Sequence, residues 1–120
     1  MPSTDTAPST DHPVRRLYER ILIAWNEQDA ASYVAIVRQI RMLGRDVGLL
    51  RAVVGMIPPG NDDINPALNT IQTLVAVEHA DGWRAAHFQS TPAAWHSRPQ
   101  ERAELTEELR DVMRRGLTCR

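Results

Sequence analysis

The sequence predicts an α+β fold, a strongly curved antiparallel sheet with helix before it and after it. Three observations predict it. Between Tyr33 and Thr91 four runs carry apolar residues at strand spacing, the stretch from Pro13 carries an apolar stripe at helical spacing, and Ala80-Asp81-Gly82 joins the last two runs with hairpin chemistry.

The first helix is predicted from Pro13 onward. Val14, Leu17, Tyr18, Ile21, Leu22 and Trp25 recur every three or four residues and share one face. Thr10 or Asp11 supplies a cap, and Pro13, with its fixed φ and missing N–H, suits the first turn. Met1 to Asp11 is rich in Ser, Thr, Pro and Asp and has nothing to bury, so residues 1–12 are expected to be a mobile tail ahead of a domain over 13–96.

In the first strand, Tyr33 to Leu43, Arg38 breaks the apolar side, which predicts a bulge, an exposed end or an inward functional charge, with bulge or exposed end favoured. Gly44-Arg45-Asp46 supplies a turn. The second strand, Val47 to Ile57, is apolar on both faces: Val47, Leu49 and Val53 on one, Leu50, Ala52, Val54 and Met56 on the other. Such a strand is covered on both sides. Pro58 to Asp63 reads as a loop, because paired prolines cannot donate to a ladder. Leu68 to His79 and Trp83 to Thr91 are the third and fourth strands. Alternation in the last puts Trp83, Ala85, His87 and Gln89 on one face and Arg84, Ala86, Phe88 and Ser90 on the other. A final helix over 97–116 is capped by Ser97 and stopped by Gly116, leaving 117–120 as a tail; its narrow apolar stripe predicts a place on the surface or against a partner chain.

With 120 residues the chain holds one domain, and 42% hydrophobic and 24% charged residues place it among ordinary globular proteins. A net charge of -1 leaves no basic footprint for nucleic acid or an anionic membrane, and 5% aromatic residues provide few stacking platforms. Arg16, Arg20, Arg38 and Arg41 read as a solvated surface. Cys119 is the single cysteine, so an intramolecular disulfide is impossible and a reducing, cytoplasmic setting is expected. No apolar run approaches the roughly 20 residues of a membrane span, and the N-terminus has neither the basic start nor the apolar core of a secretory signal.

His12, His79, His87 and His96 lack metal-ligand spacing, and Asp62-Asp63 lacks the partners of a calcium loop. Neither a phosphate loop, a nucleophile elbow nor a dinucleotide fingerprint is present, so no metal and no cofactor is expected. For proton transfer the strands offer Glu78, beside the turn, and His87, the one candidate base.

Leu17-Tyr18-Glu19-Arg20, Ala24-Trp25-Asn26, Leu49-Leu50-Arg51-Ala52-Val53, Gly55-Met56, Pro58-Pro59-Gly60, Asn65-Pro66-Ala67-Leu68-Asn69, Gln72-Thr73-Leu74-Val75, Gly82-Trp83-Arg84, Phe88-Gln89 and Thr91-Pro92-Ala93-Ala94 together resemble the SnoaL-like division of the nuclear-transport-factor cone fold. Within it the likeness is greatest to the small proteins named after SgcJ and EcaC in natural-product, notably enediyne, gene clusters. That resemblance implies a cone-shaped domain with helices closing the concave face of the sheet over a pocket. It also implies a further helix, a strand and another helix between Ala30 and Tyr33, where this sequence has two residues, so either a segment is omitted there, which is the favoured expectation, or a deletion leaves the cone open on one side.

In the implied pocket His87 takes the catalytic position, and Trp83, Gln89, Gln72, Asn69, Trp25 and Tyr18 meet the ligand. The same residues also have plain structural readings: Trp83 as packing, His87 as a satisfied structural histidine, Gln72 and Gln89 as partners of nearby loops. Two functions follow as expectations. One is binding or transformation of a small apolar, polyketide-like molecule. The other is a non-catalytic module that forms a homodimer through an outer sheet face bearing Ala86, Phe88 and Val53; dimerisation is expected under both, because a sheet apolar on both faces needs two covers.

Overall fold

The computed structural model describes residues 5–6, 12–28, 31–93 and 99–120. Its elements are β1 (Asp5–Thr6), α1 (Pro13–Gln28), β2 (Ser32–Met42), β3 (Val47–Ile57), a 3-10 turn (Pro66–Leu68), β4 (Thr70–His79), β5 (Gly82–Pro92) and α2 (Pro99–Arg114). The strands form a curved open sheet in the order β1-β2-β3-β4-β5, every neighbour antiparallel. This is the α+β architecture that the apolar periodicity predicts, with each long strand within two residues of its expected bounds.

Register organises the face toward α1 into rows of directly opposed residues. Ile40, Leu50, Leu74 and Phe88 form one row across four strands, and Met42, Gly48, Ala76 and Ala85 another. Val14, Tyr18 and Leu22 of α1 pack on these rows. Two further rows turn polar toward β4 and β5: Val37, Ala52, Gln72 and Ser90, then Ala35, Val54, Thr70 and Pro92. Apolar rows bind the helix.

The opposite face is covered over β2 and β3 by α2. Leu105, Leu109 and Val112 pack on Val34, Ile36 and Val53, with Ile64 of the Pro58–Asn65 loop filling the corner. Expected on the surface or on a partner, α2 is in fact a second cover, because its narrow stripe matches the width of two strands. β3 is thereby buried on both sides, as its residue pattern requires. Its two glycines seat the two helices: a Cβ on Gly48 would lie 2.8 Å from Val14 Cγ2, and one on Gly55 would lie 3.1 Å from Leu109 Cδ1.

The omitted segment is corrected. Gln28 and Ala31 are joined by two residues, and Asn26 clamps the connection by accepting from the Tyr33 N–H at 2.8 Å and donating to the Tyr33 carbonyl at 3.3 Å. The chain is continuous there, with no room for further helices.

The expected caps Thr10, Asp11 and Ser97 lie outside the described residues, as does most of the tail before Pro13. Within that tail, Asp5–Thr6 pairs with Arg41 and Ile40 of β2. His12 caps α1, its Nδ1 accepting from the Val14 N–H at 3.2 Å. The C-terminal residues also pair: the Thr118 and Arg120 carbonyls accept from the N–H groups of Ala35 and Val37 at 2.8 and 2.7 Å. This parallel bridge covers the β2 edge, which would otherwise offer its backbone to another chain. Arg38 is the bulged residue, where the register shifts between Val37 and Gln39, and it points outward to a two-pronged pairing with Glu108 of α2 at 3.0 Å.

Candidate functional site

α1 stops short of covering the whole of its sheet face. Beyond its last turn lies a cleft of about 380 Å³, floored by Val54, Met56, Thr70, Gln72 and Ser90 and flanked by Trp25, Tyr33 and Leu68. Pockets that hold small molecules have this make-up, mostly apolar with a few placed polar groups. Trp25 meets Tyr33 edge-on at 5.7 Å between ring centroids and Phe88 edge-on at 5.3 Å, the offset geometry that aromatic quadrupoles prefer. The aromatic wall is therefore fixed by its own contacts.

Beneath it runs a buried polar link between α1 and the sheet: Tyr18 donates its hydroxyl to Gln72 Oε1 at 2.6 Å. Tyr18 is 0% exposed and Gln72 3% exposed. Burial, and secondarily the neighbouring Cys119, pushes the Tyr18 phenol far above its ordinary range. It stays protonated and can only donate to the Gln72 oxygen. Gln72 sits inside a strand of apolar neighbours, a burial that costs unless hydrogen-bonded, and Tyr18 meets that cost.

Trp25 and Gln72 line the cleft and Tyr18 stands directly behind it, so the structure brings three of the expected ligand-binding residues together. The other three, and the catalytic candidate His87, are elsewhere. Trp83 packs at the far end of the α1 face opposite Glu78, seven residues along β5 from Ser90, roughly 20 Å at strand rise. Asn69 is buried under α2, donating to Thr106 Oγ1 at 3.0 Å, while Thr106 donates on to the Arg102 carbonyl at 2.8 Å.

The shared face of Trp83, His87 and Gln89 is corrected by a bulge. Register shifts between Val75 and Ala76, so Ala86 is the extra residue opposite them. Ahead of it, Trp83 and Ala85 face α1; past it, Phe88 and Ser90 do, and His87 and Gln89 pass to the opposite face, paired with Val75 and Thr73. His87 is exposed there, and Gln89 Nε2 donates to Thr91 Oγ1 at 3.4 Å. Phe88, expected on the outer face, is instead part of the inner one.

Sequence reasoning missed Tyr33, Met56, Thr70 and Ser90 as cleft residues. For Thr70 the signal was present, two residues before Gln72 on the same strand face; for Ser90 it was not, because the register and bulge that set it across from Gln72 are decided only when β4 and β5 pair. Chemically the cleft can bind and orient. Its lining offers amide and hydroxyl groups and aromatic faces and, among the described residues, no carboxylate or imidazole. On the other sheet face a groove of about 290 Å³ between α2 and the strands is floored by Val53, Ile71 and Leu105 and rimmed by arginine and glutamate, without a buried polar group aimed into it. Among the described residues no cluster of three or more His, Cys, Asp or Glu is placed to hold a metal ion.

No family model matches the chain, and no curated protein does. Among solved structures it is similar to the crystal structure of a domain of unknown function with a cystatin-like fold from Nostoc punctiforme, with a TM-score of 0.54 and 13% identity. The match covers 84% of this chain and 65% of that one, just under two thirds of the neighbour's length. Identity that low carries fold alone, and what it carries agrees with the helix-on-antiparallel-sheet arrangement described above: the fold is α+β with a cystatin-like neighbour.

Proposed function

We propose that this is a small-molecule binding protein of the SnoaL-like, SgcJ/EcaC kind, holding an apolar, polyketide-like intermediate of a natural-product pathway in the cleft between α1 and the sheet. One observation carries the reading: an aromatic-walled cleft of about 380 Å³ whose floor contains a buried, hydrogen-bonded glutamine. Cystatin-like and cone folds are related, which supports the sequence resemblance at the level of architecture. We read the function as binding rather than proton transfer, since among the described residues that line the cleft none supplies a carboxylate or an imidazole.

The test is titration with a hydroxyanthraquinone such as emodin, read by tryptophan quenching. Saturable binding in the micromolar range is expected, weakened at least about tenfold by Ser90→Trp, which obstructs the floor from an exposed position. Absence of saturable binding, or binding indifferent to Ser90→Trp, would overturn it.

A second reading has its own observation. Among the described residues no helix lies above β4 and β5 on the α2 side, and Ile71, Val75 and Val77 are only partly covered, Ile71 being 39% exposed. A homodimer closing that half of the sheet, with or without a ligand in the cleft, fits this surface.

A further inference from the structure

The hydrogen bond beneath the cleft restricts what the cleft can recognise. A carboxamide has one accepting oxygen and one donating nitrogen. Tyr18 occupies the Gln72 oxygen at 2.6 Å, and the Gln72 nitrogen has no hydrogen-bond partner among the described residues. Gln72 is 97% buried, yet it lines the cleft, so the reachable remainder of its polar surface is the Nε2 donor. Tyr18 is itself fully buried and keeps its hydroxyl at the amide, where its hydrogen lies on the Gln72 oxygen. The hydroxyls of Thr70, two residues before it on the same face, and of Ser90, its cross-strand partner, stand beside this donor.

Resting on the proposed function, we infer that the cleft selects neutral ligands carrying a hydrogen-bond acceptor, a ketone or quinone oxygen on a planar ring system, and that Gln72 is the residue that reads this oxygen. Tyr18 is the positioning residue that aims it. A hydrocarbon entering the cleft displaces water from the Gln72 amide and leaves a buried donor unpaired, and sites built around such a donor reject analogues that lack its partner. A charged ligand would lose its hydration without meeting an opposite charge, since among the described residues no acidic or basic side chain lines the cleft. The ring system finds its place against Trp25 and Tyr33, whose planes stand at 62°.

The experiment compares 9-fluorenone with fluorene, planar tricycles of nearly equal shape that differ by a carbonyl in place of a methylene, and with the fluorene-9-carboxylate anion. Wild-type protein is expected to bind fluorenone about tenfold or more tightly than fluorene, although fluorene is the more apolar and would win in a cleft without an aimed donor. The carboxylate should bind at least about tenfold more weakly than fluorenone. Gln72→Leu should abolish the preference for fluorenone over fluorene, and Tyr18→Phe should reduce it, with circular dichroism confirming the fold of each variant. Fluorene binding as tightly as fluorenone, a preferred carboxylate, or a preference that survives Gln72→Leu would overturn this inference and leave the binding function standing. If none of the three probes binds, both readings fall together. The wild-type ratio decides the matter even if a variant does not fold.

Discussion

At Gly48 one hydrogen atom sets the distance between α1 and the sheet. An added Cβ would lie 2.8 Å from Val14 Cγ2 and 3.2 Å from Met42 Sδ, closer than side chains tolerate. Gly48→Ala should therefore destabilise by about 1–3 kcal/mol, the usual cost of overpacking, despite the smaller entropy that alanine loses on folding. Urea unfolding would measure it, and the cost should shrink when Val14→Ala is added, since that removes the clashing methyl. An unchanged cost in the double variant would place the strain elsewhere. Residues such as Gln72 were legible at this scale, as a polar side chain among apolar strand neighbours. Its partner was not, because Tyr18 is 54 residues away in sequence and enters only when α1 docks.

Among the elements, α1 begins on a titratable cap. The neutral imidazole of His12 accepts the Val14 N–H, and a protonated ring cannot. Burial holds the His12 pKa below its ordinary 6.5. The unfolded chain therefore takes up the proton first as pH falls: the cap's contribution is fully present above about pH 6.5 and is lost as pH drops through the lower folded value. Urea midpoints at pH 7.5 and pH 5 should differ by up to about 1 kcal/mol of cap stability, and His12→Asn, a cap without a titrating group, should flatten that difference. A wild-type profile that His12→Asn leaves unaltered would contradict the assignment. Periodicity located every long element, since apolar spacing is a local property of the chain. What it could not locate was the β5 bulge: one extra residue at Ala86 reverses the inward side of everything after it, and nothing in the run from Gly82 to Pro92 marks that residue.

Taken whole, the molecule is a sheet with one and a half covers. α1 lies on one face and α2 on half of the other, leaving the α2 side of β4 and β5 to solvent or to a second copy. If a second copy closes it, sedimentation equilibrium at micromolar concentration should give twice the 13.5 kDa chain mass, and Val75→Glu, at the centre of the uncovered strand, should return the mass to one chain. A monomer throughout would remove the dimer reading and leave the cleft untouched, because the two lie on opposite faces of the sheet.

The amino-acid sequence by itself determined the class of fold, the helix and strand periods, the hairpin at Asp81 and the double burial of β3, all consequences of spacing within short windows. Tertiary structure alone decided which helix covers which face, that Gln72 is held by Tyr18 and that His87 lies outside the cleft. Those outcomes depend on register and docking between segments far apart in the chain, where a single bulge or one missing side chain at Gly48 outweighs any local preference.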